Sequence, residues 1–94
     1  MPREKMMARW SELTAWLHDE EVPLTKEDKD IEALLQTEHY SADMLPRLQD
    51  HEQRLLHELE QVGGNAAYYV LCCLGIVGAL QEHCKAEPPK ADAA

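Results

Sequence analysis

From Gly63 to Gln81 the chain carries no charged residue, and inside that run Ala66 to Leu80 make an apolar core of 15 residues. Apolar surface of this kind is expelled from water and must be covered by protein or by lipid. A spanning helix needs roughly 20 mostly apolar residues, so the run reads as a buried helix, not a membrane span. The whole chain has 94 residues and contains no Phe, two Trp and three Tyr, so aliphatic side chains must build the rest of the core. A chain of this length supports one domain and hides a smaller share of its surface than a larger protein does. The enclosure of the apolar helix is therefore expected to be incomplete.

Helical periodicity runs through the remainder. Met6, Met7, Trp10, Leu13, Trp16 and Leu17 recur at spacings of three and four. They predict a helix over about 2–20, with Pro2 in its first turn and Pro23 ending it. Thr25 and Asp28 make a capping box that opens a second helix over 26–39, with a short stripe of Ile31, Leu34 and Leu35. Leu45, Leu48, Glu52, Leu55, Leu59 and Val62 form a heptad seam with one polar member, widened by Leu56. That seam predicts a third helix over 44–62, with Asp43 as N-cap and Pro46 in the first turn. Gly63-Gly64 stops it, and Asn65 caps a fourth helix over 66–85. The expected fold class is all-α: a small antiparallel bundle of three to four helices with a C-terminal hairpin. Residues 1–85 form a single domain, and 86–94, with Pro88-Pro89, a disordered tail. Trp10, Leu13, Leu17, Leu48, Leu55 and Leu59 are expected inside.

Gly75 and Gly78 each reduce the propensity of the fourth helix by roughly 1 kcal/mol relative to alanine. Close backbone approach is the usual return for that cost, and Gly75 with Ala79 has the small-xxx-small spacing of tight helix pairs. Internal packing and a partner groove both account for it. The candidate partner-binding positions are Tyr69, Leu71, Cys72, Leu74, Gly75, Val77, Gly78 and Leu80. They form one pool of core and interface positions, and the sequence leaves the outward face open.

The net charge is −9, with 18 Asp plus Glu against 9 Lys plus Arg. Direct binding to nucleic-acid phosphates needs a basic face and is disfavoured. Residues 1–62 hold 15 acids and 7 bases, so the acidity lies ahead of the uncharged run. A secretory signal is not expected, since Met1 to Lys5 run into a mixed polar and apolar stretch and not an unbroken apolar one. Three cysteines, two of them adjacent (Cys72, Cys73, Cys84), do not make a disulfide framework, which fits a reducing cytoplasm. Cys72 and Cys73 read as small hydrophobes, and Cys84, near the helix end, as the more reactive thiol. His18, His39, His51, His57 and His83 show no metal-ligand spacing, and no nucleophile–base–orienter set emerges. The expectation is therefore no enzyme, no metal, no cofactor and no small-molecule substrate.

The segment 44–85 resembles the small co-chaperones of needle subunits in bacterial type III secretion. The matching features are Leu55, Leu56 and Leu59, then Gly63-Gly64-Asn65-Ala66, then Tyr69, then the apolar run to Leu80. That resemblance implies a cytosolic helical hairpin that binds a larger helical-repeat chaperone and keeps a needle subunit soluble. Residues 10–35 resemble the first helix of a spectrin repeat and the start of its second, through Trp10, Leu13, Trp16-Leu17 and Ile31 to Leu35. This second likeness is architectural and carries no function. The functional expectation is a small acidic protein-binding module, a chaperone or adaptor acting through its apolar C-terminal helix. Its partner would be another helical protein in a hetero-complex, or a second copy in a homodimer. The competing expectation is an acidic inhibitor or decoy that occupies a basic site on another protein.

Overall fold

The computed structural model describes residues 1–86, which form four α-helices and no strand. Helix α1 spans Arg3–Asp19, α2 Lys26–Leu35, α3 Leu45–Leu59 and α4 Gly64–Ala86, with a single 3-10 turn at Ala42–Met44 ahead of α3. This is the small all-α bundle that the periodicity implies. Of the tail expected over 86–94, Ala86 is the last residue of α4, and 87–94 lie outside the described residues.

Helix α1 buries Met6, Trp10, Leu13 and Leu17 of the six-membered stripe read from the sequence, and leaves Met7 and Trp16 half-buried at its edges. Pro2 is its N-cap: the proline carbonyl accepts from the Lys5 and Met6 N–H groups, both at 3.1 Å. The helix ends at Asp19, well before Pro23, so proline is not what stops it. The Glu21 N–H donates to the His18 carbonyl (3.0 Å) and the Val22 N–H to the Leu17 carbonyl (2.9 Å), closing a Schellman motif. That closure holds Glu21 at φ 57°, in the left-handed region. A β-carbon there costs about 1–2 kcal/mol, and glycine avoids the cost. The carboxylate also faces the negative end of the helix dipole. Glu21→Gly is therefore expected to raise the unfolding free energy by about 1 kcal/mol in a urea titration. A loss of stability would mean that this closure does not persist in solution.

Helix α2 opens with the expected capping box. The Asp28 N–H donates to Thr25 Oγ1 at 3.1 Å, and the Thr25 N–H donates back to Asp28 Oδ2 at 2.9 Å. Its end departs from expectation by four residues, at Leu35 rather than 39. The cause is Tyr40, whose ring is buried and whose hydroxyl donates to the Leu35 carbonyl, turning the chain back into the core. That ring meets His83 edge-on at 5.5 Å and lies under the Arg3 guanidinium at 4.8 Å. Its apolar stripe is short, and polar contacts bind α2 to each of the other helices. Trp10 Nε1–H donates to Glu32 Oε2 at 2.7 Å. Glu27 meets Arg54 Nε at 2.6 Å and buried His51 Nδ1 at 3.1 Å, both from α3. Buried Asp28 accepts from the Tyr69 hydroxyl of α4.

Helices α3 and α4 form the most extensive pairing in the molecule. Leu48 and Leu55 are buried, while Leu45, Leu59 and Val62 are partly buried against the core. The polar seam residue Glu52 accepts from Gln81 Nε2 of α4 at 3.0 Å. Leu56, expected to widen the stripe, is exposed instead, because it lies beside the seam and not on it. Two expected caps are also corrected. Asp43 lies in the 3-10 turn and Met44 is the N-cap, without a side-chain bond, since Pro46 already fills the first turn. Asn65 lies inside α4, which starts one residue earlier at Gly64. Helix α3 stops at Leu59, ahead of the two glycines, and Gly64 takes the left-handed conformation (φ 60°) that reverses the chain.

Candidate functional site

Helix α4 is apolar on every side, so only packing decides which side turns inward. Its core face is Val70, Cys73, Val77, Leu80 and Cys84, spaced three and four apart, with Ile76 beside it. The opposite face carries Tyr68 and Leu71, 63% and 54% exposed, and Gly75, also exposed. Large apolar side chains this open are a concentrated feature on a small protein.

The candidate positions divide accordingly. Val77 and Leu80 are fully buried and belong to the core, not to an interface. Tyr69, Cys72, Leu74 and Gly78 are partly buried. Tyr69 is spent on Asp28 of α2. Leu71, Cys72 and Gly75 come together with α1 to form a groove of about 790 Å³. From α1 the groove is lined by Arg9, Glu12, Leu13 and Trp16. Trp16 meets Tyr68 edge-on at one point of it, with centroids 6.2 Å apart and an interplanar angle of 86°, a favourable aromatic arrangement. Sequence reasoning placed Trp16 in the α1 stripe and left Tyr68 out of the pool. Their signal was the aromatic content itself, since this chain has only five Trp and Tyr.

The two glycines do not serve internal packing. A β-carbon added at Gly75 or Gly78 would meet no atom within 4 Å. The close backbone approach expected of them inside the bundle is absent among the described residues. The groove at Gly75 exists because nothing from α1 fills the space a side chain would take.

The three thiols are free. Their order of accessibility reverses the expectation: Cys84 is fully buried, and Cys72, in the groove, is the partly open one. Burial pushes the Cys73 thiol up to about 12 and raises Cys84 as well. Tyr69 is also raised, first by burial and then by its bond to Asp28. A raised acid holds its proton longer in the folded chain than in the unfolded one. Its stabilising contribution is complete below the unfolded pKa and disappears as pH rises toward the folded value. Unfolding free energy is thus expected to be flat from pH 7 to about 8.5 and to fall steadily between about 9 and 12. Urea titrations across that range measure it. A stability that held constant to pH 11 would contradict the burial of Cys73. At neutral pH a thiol reagent should label Cys72 first, with Cys73 and Cys84 reacting on unfolding.

Helix α4 is, by length and composition, long and apolar enough to cross a bilayer: it has 23 residues, and an 18-residue window of it has a mean hydropathy of 1.3, where the 15-residue apolar core alone falls short. Here α3 packs along it extensively and α1 to a lesser degree, and about 33% of its apolar window is buried. No group of three His, Cys, Asp or Glu residues is placed to hold a metal ion among the described residues. Comparison with family models, with curated proteins and with solved structures gave no match. The functional reading rests on the geometry of the groove.

Proposed function

We propose that this chain is a small cytosolic protein-binding module of the chaperone or adaptor kind, whose docking surface is the groove between α1 and α4. One observation carries the reading: Tyr68 and Leu71 stand open beside Trp16 and an empty space at Gly75. An amphipathic helix fits such a surface, with bulky apolar anchors entering where the glycine leaves room. The three free thiols accord with a reducing compartment. The type III secretion co-chaperone likeness of 44–85 corresponds to α3, the Gly64 reversal and α4, and supports a role in shielding a partner's apolar segment.

A leucine–lysine amphipathic peptide tests the reading, with tryptophan emission as readout. Binding is expected, and Gly75→Leu should weaken it by at least about tenfold by filling the groove. The same variant should fold at least as stably as the parent, because its side chain meets open space and helix propensity improves. Absent binding by the monomeric chain, or binding indifferent to Gly75→Leu, would sink the reading. The second reading, an acidic decoy, rests on residues 20–63, which carry twelve acids and four bases. It requires instead that binding be lost on raising salt and be untouched by Gly75→Leu.

A further inference from the structure

We infer that the groove between α1 and α4 is covered by a second copy of this chain, packed about a two-fold axis with Arg9 of each copy against Glu12 of the other. The inference rests on the groove being a docking surface and adds its occupant.

The first support is where the charge lies. The chain is at −9, yet the two helices that form the groove are each neutral. Helix α1 sets Glu4, Glu12 and Asp19 against Arg3, Lys5 and Arg9, and α4 sets Glu82 against Lys85. The acidic excess sits in residues 20–63. Two copies meeting through α1 and α4 bring neutral surfaces together. Exposed charges further apart than about 8 Å are largely screened at physiological salt, so the acidic segments need not oppose the contact.

Self-complementarity is the second support. Arg9 and Glu12 are both exposed and both line the groove. Neither takes part in an ion pair among the described residues, where the pairs are those of Glu27, Asp50, His51, Arg54, Glu82 and Lys85. A two-fold interface sets residue i against j and j against i. One cation and one anion on the same rim then satisfy each other twice. A uniformly basic or acidic partner would match one of them and oppose the other.

Gly75 supplies the third. It lowers the helix propensity of α4, and nothing within 4 Å inside the chain requires its missing side chain. A second backbone lying against it, flanked by Leu71 and Tyr68 of both copies, is the contact that accounts for it.

Sedimentation of the full chain at micromolar concentration decides the matter. Wild type is expected to be a dimer. Arg9→Glu and Glu12→Arg should each raise the dissociation constant by at least about tenfold, since each turns both crosswise pairs into like-charge pairs. An equimolar mixture of the two variants should recover the dimer, and so should the double swap Arg9→Glu/Glu12→Arg, because opposite charges then face each other again. All four proteins should melt alike at concentrations low enough to keep each of them monomeric, as both side chains are exposed in the single chain. A monomeric wild type, or a dimer indifferent to the swaps, overturns the proposal. The leucine–lysine peptide separates the two readings. A monomer that binds it in a Gly75-dependent way removes self-docking and leaves the groove standing, whereas a monomer that ignores it removes both.

Discussion

Leu55→Ala is expected to lower the unfolding free energy by about 2–5 kcal/mol, while Leu56→Ala, its neighbour, should change it by less than about 1 kcal/mol. The two residues share a helix, a side-chain type and a propensity. They differ in where 100° of helical rotation puts them: Leu55 is 3% exposed and Leu56 43%. Truncating Leu55 removes its transfer energy and opens a cavity between α3 and α4 that a small bundle can only partly collapse. A domain of this length has a total stability of about 5–10 kcal/mol, so the variant should be close to unfolding at physiological temperature. Urea titrations of both variants measure the contrast. Equal losses at the two positions would mean that the α3 seam is assigned to the wrong face.

The second large effect belongs to Asp28. Asp28→Ala is expected to cost about 2–4 kcal/mol, through a lost capping interaction of about 1 and a stranded tyrosine hydroxyl of about 1–3. Asp28 is almost completely buried, and one carboxylate accepts from both the Thr25 N–H and the Tyr69 hydroxyl. It opens α2 and fastens it to α4. Thr25→Ala removes only the local half and should cost about 1 kcal/mol. Tyr69→Phe removes only the distant half, leaving the cap in place. The double variant Asp28→Ala/Tyr69→Phe should lose less than the sum of the singles, with a coupling of about 0.5–3 kcal/mol. A strictly additive cycle would show that the α2–α4 contact contributes nothing.

Much of this fold was legible because each signal was local. The α1 stripe, the Thr25–Asp28 box and the α3 heptad are patterns within a few turns of chain, and all three are present, although the heptad loses Val62, which lies past the end of α3. The failures have a common character. Helix α2 stops early because Tyr40 is drawn into a core shared with His83, 43 positions later in the chain. Asp43 and Asn65 had the right chemistry for capping, but the neighbouring Pro46 and Gly64 set the backbone there first. Cys84 was placed as the open thiol from its position near a helix end, yet it is buried, because it continues the core face of Val77 and Leu80. The candidate interface was legible as a helix and illegible as a face. Leu71, Cys72 and Gly75 line the groove, whereas Val77 and Leu80 are buried in the core.

By itself, the sequence determined that the chain is helical, where most helices lie, and that one of them has more apolar surface than the rest can cover. Tertiary structure decided how that helix is turned. A stripe orients a helix because rotating it would expose apolar side chains and bury polar ones. From Gly63 to Gln81 there is no charge to expose or bury, so local pattern sets no preferred rotation. The choice fell to contacts made at a distance: Val70, Cys73, Val77 and Leu80 in one core with Leu48 and Leu55 of α3, Glu52 on Gln81, and Asp28 on Tyr69. Once those were made, Tyr68, Leu71 and Gly75 were left outside beside Trp16.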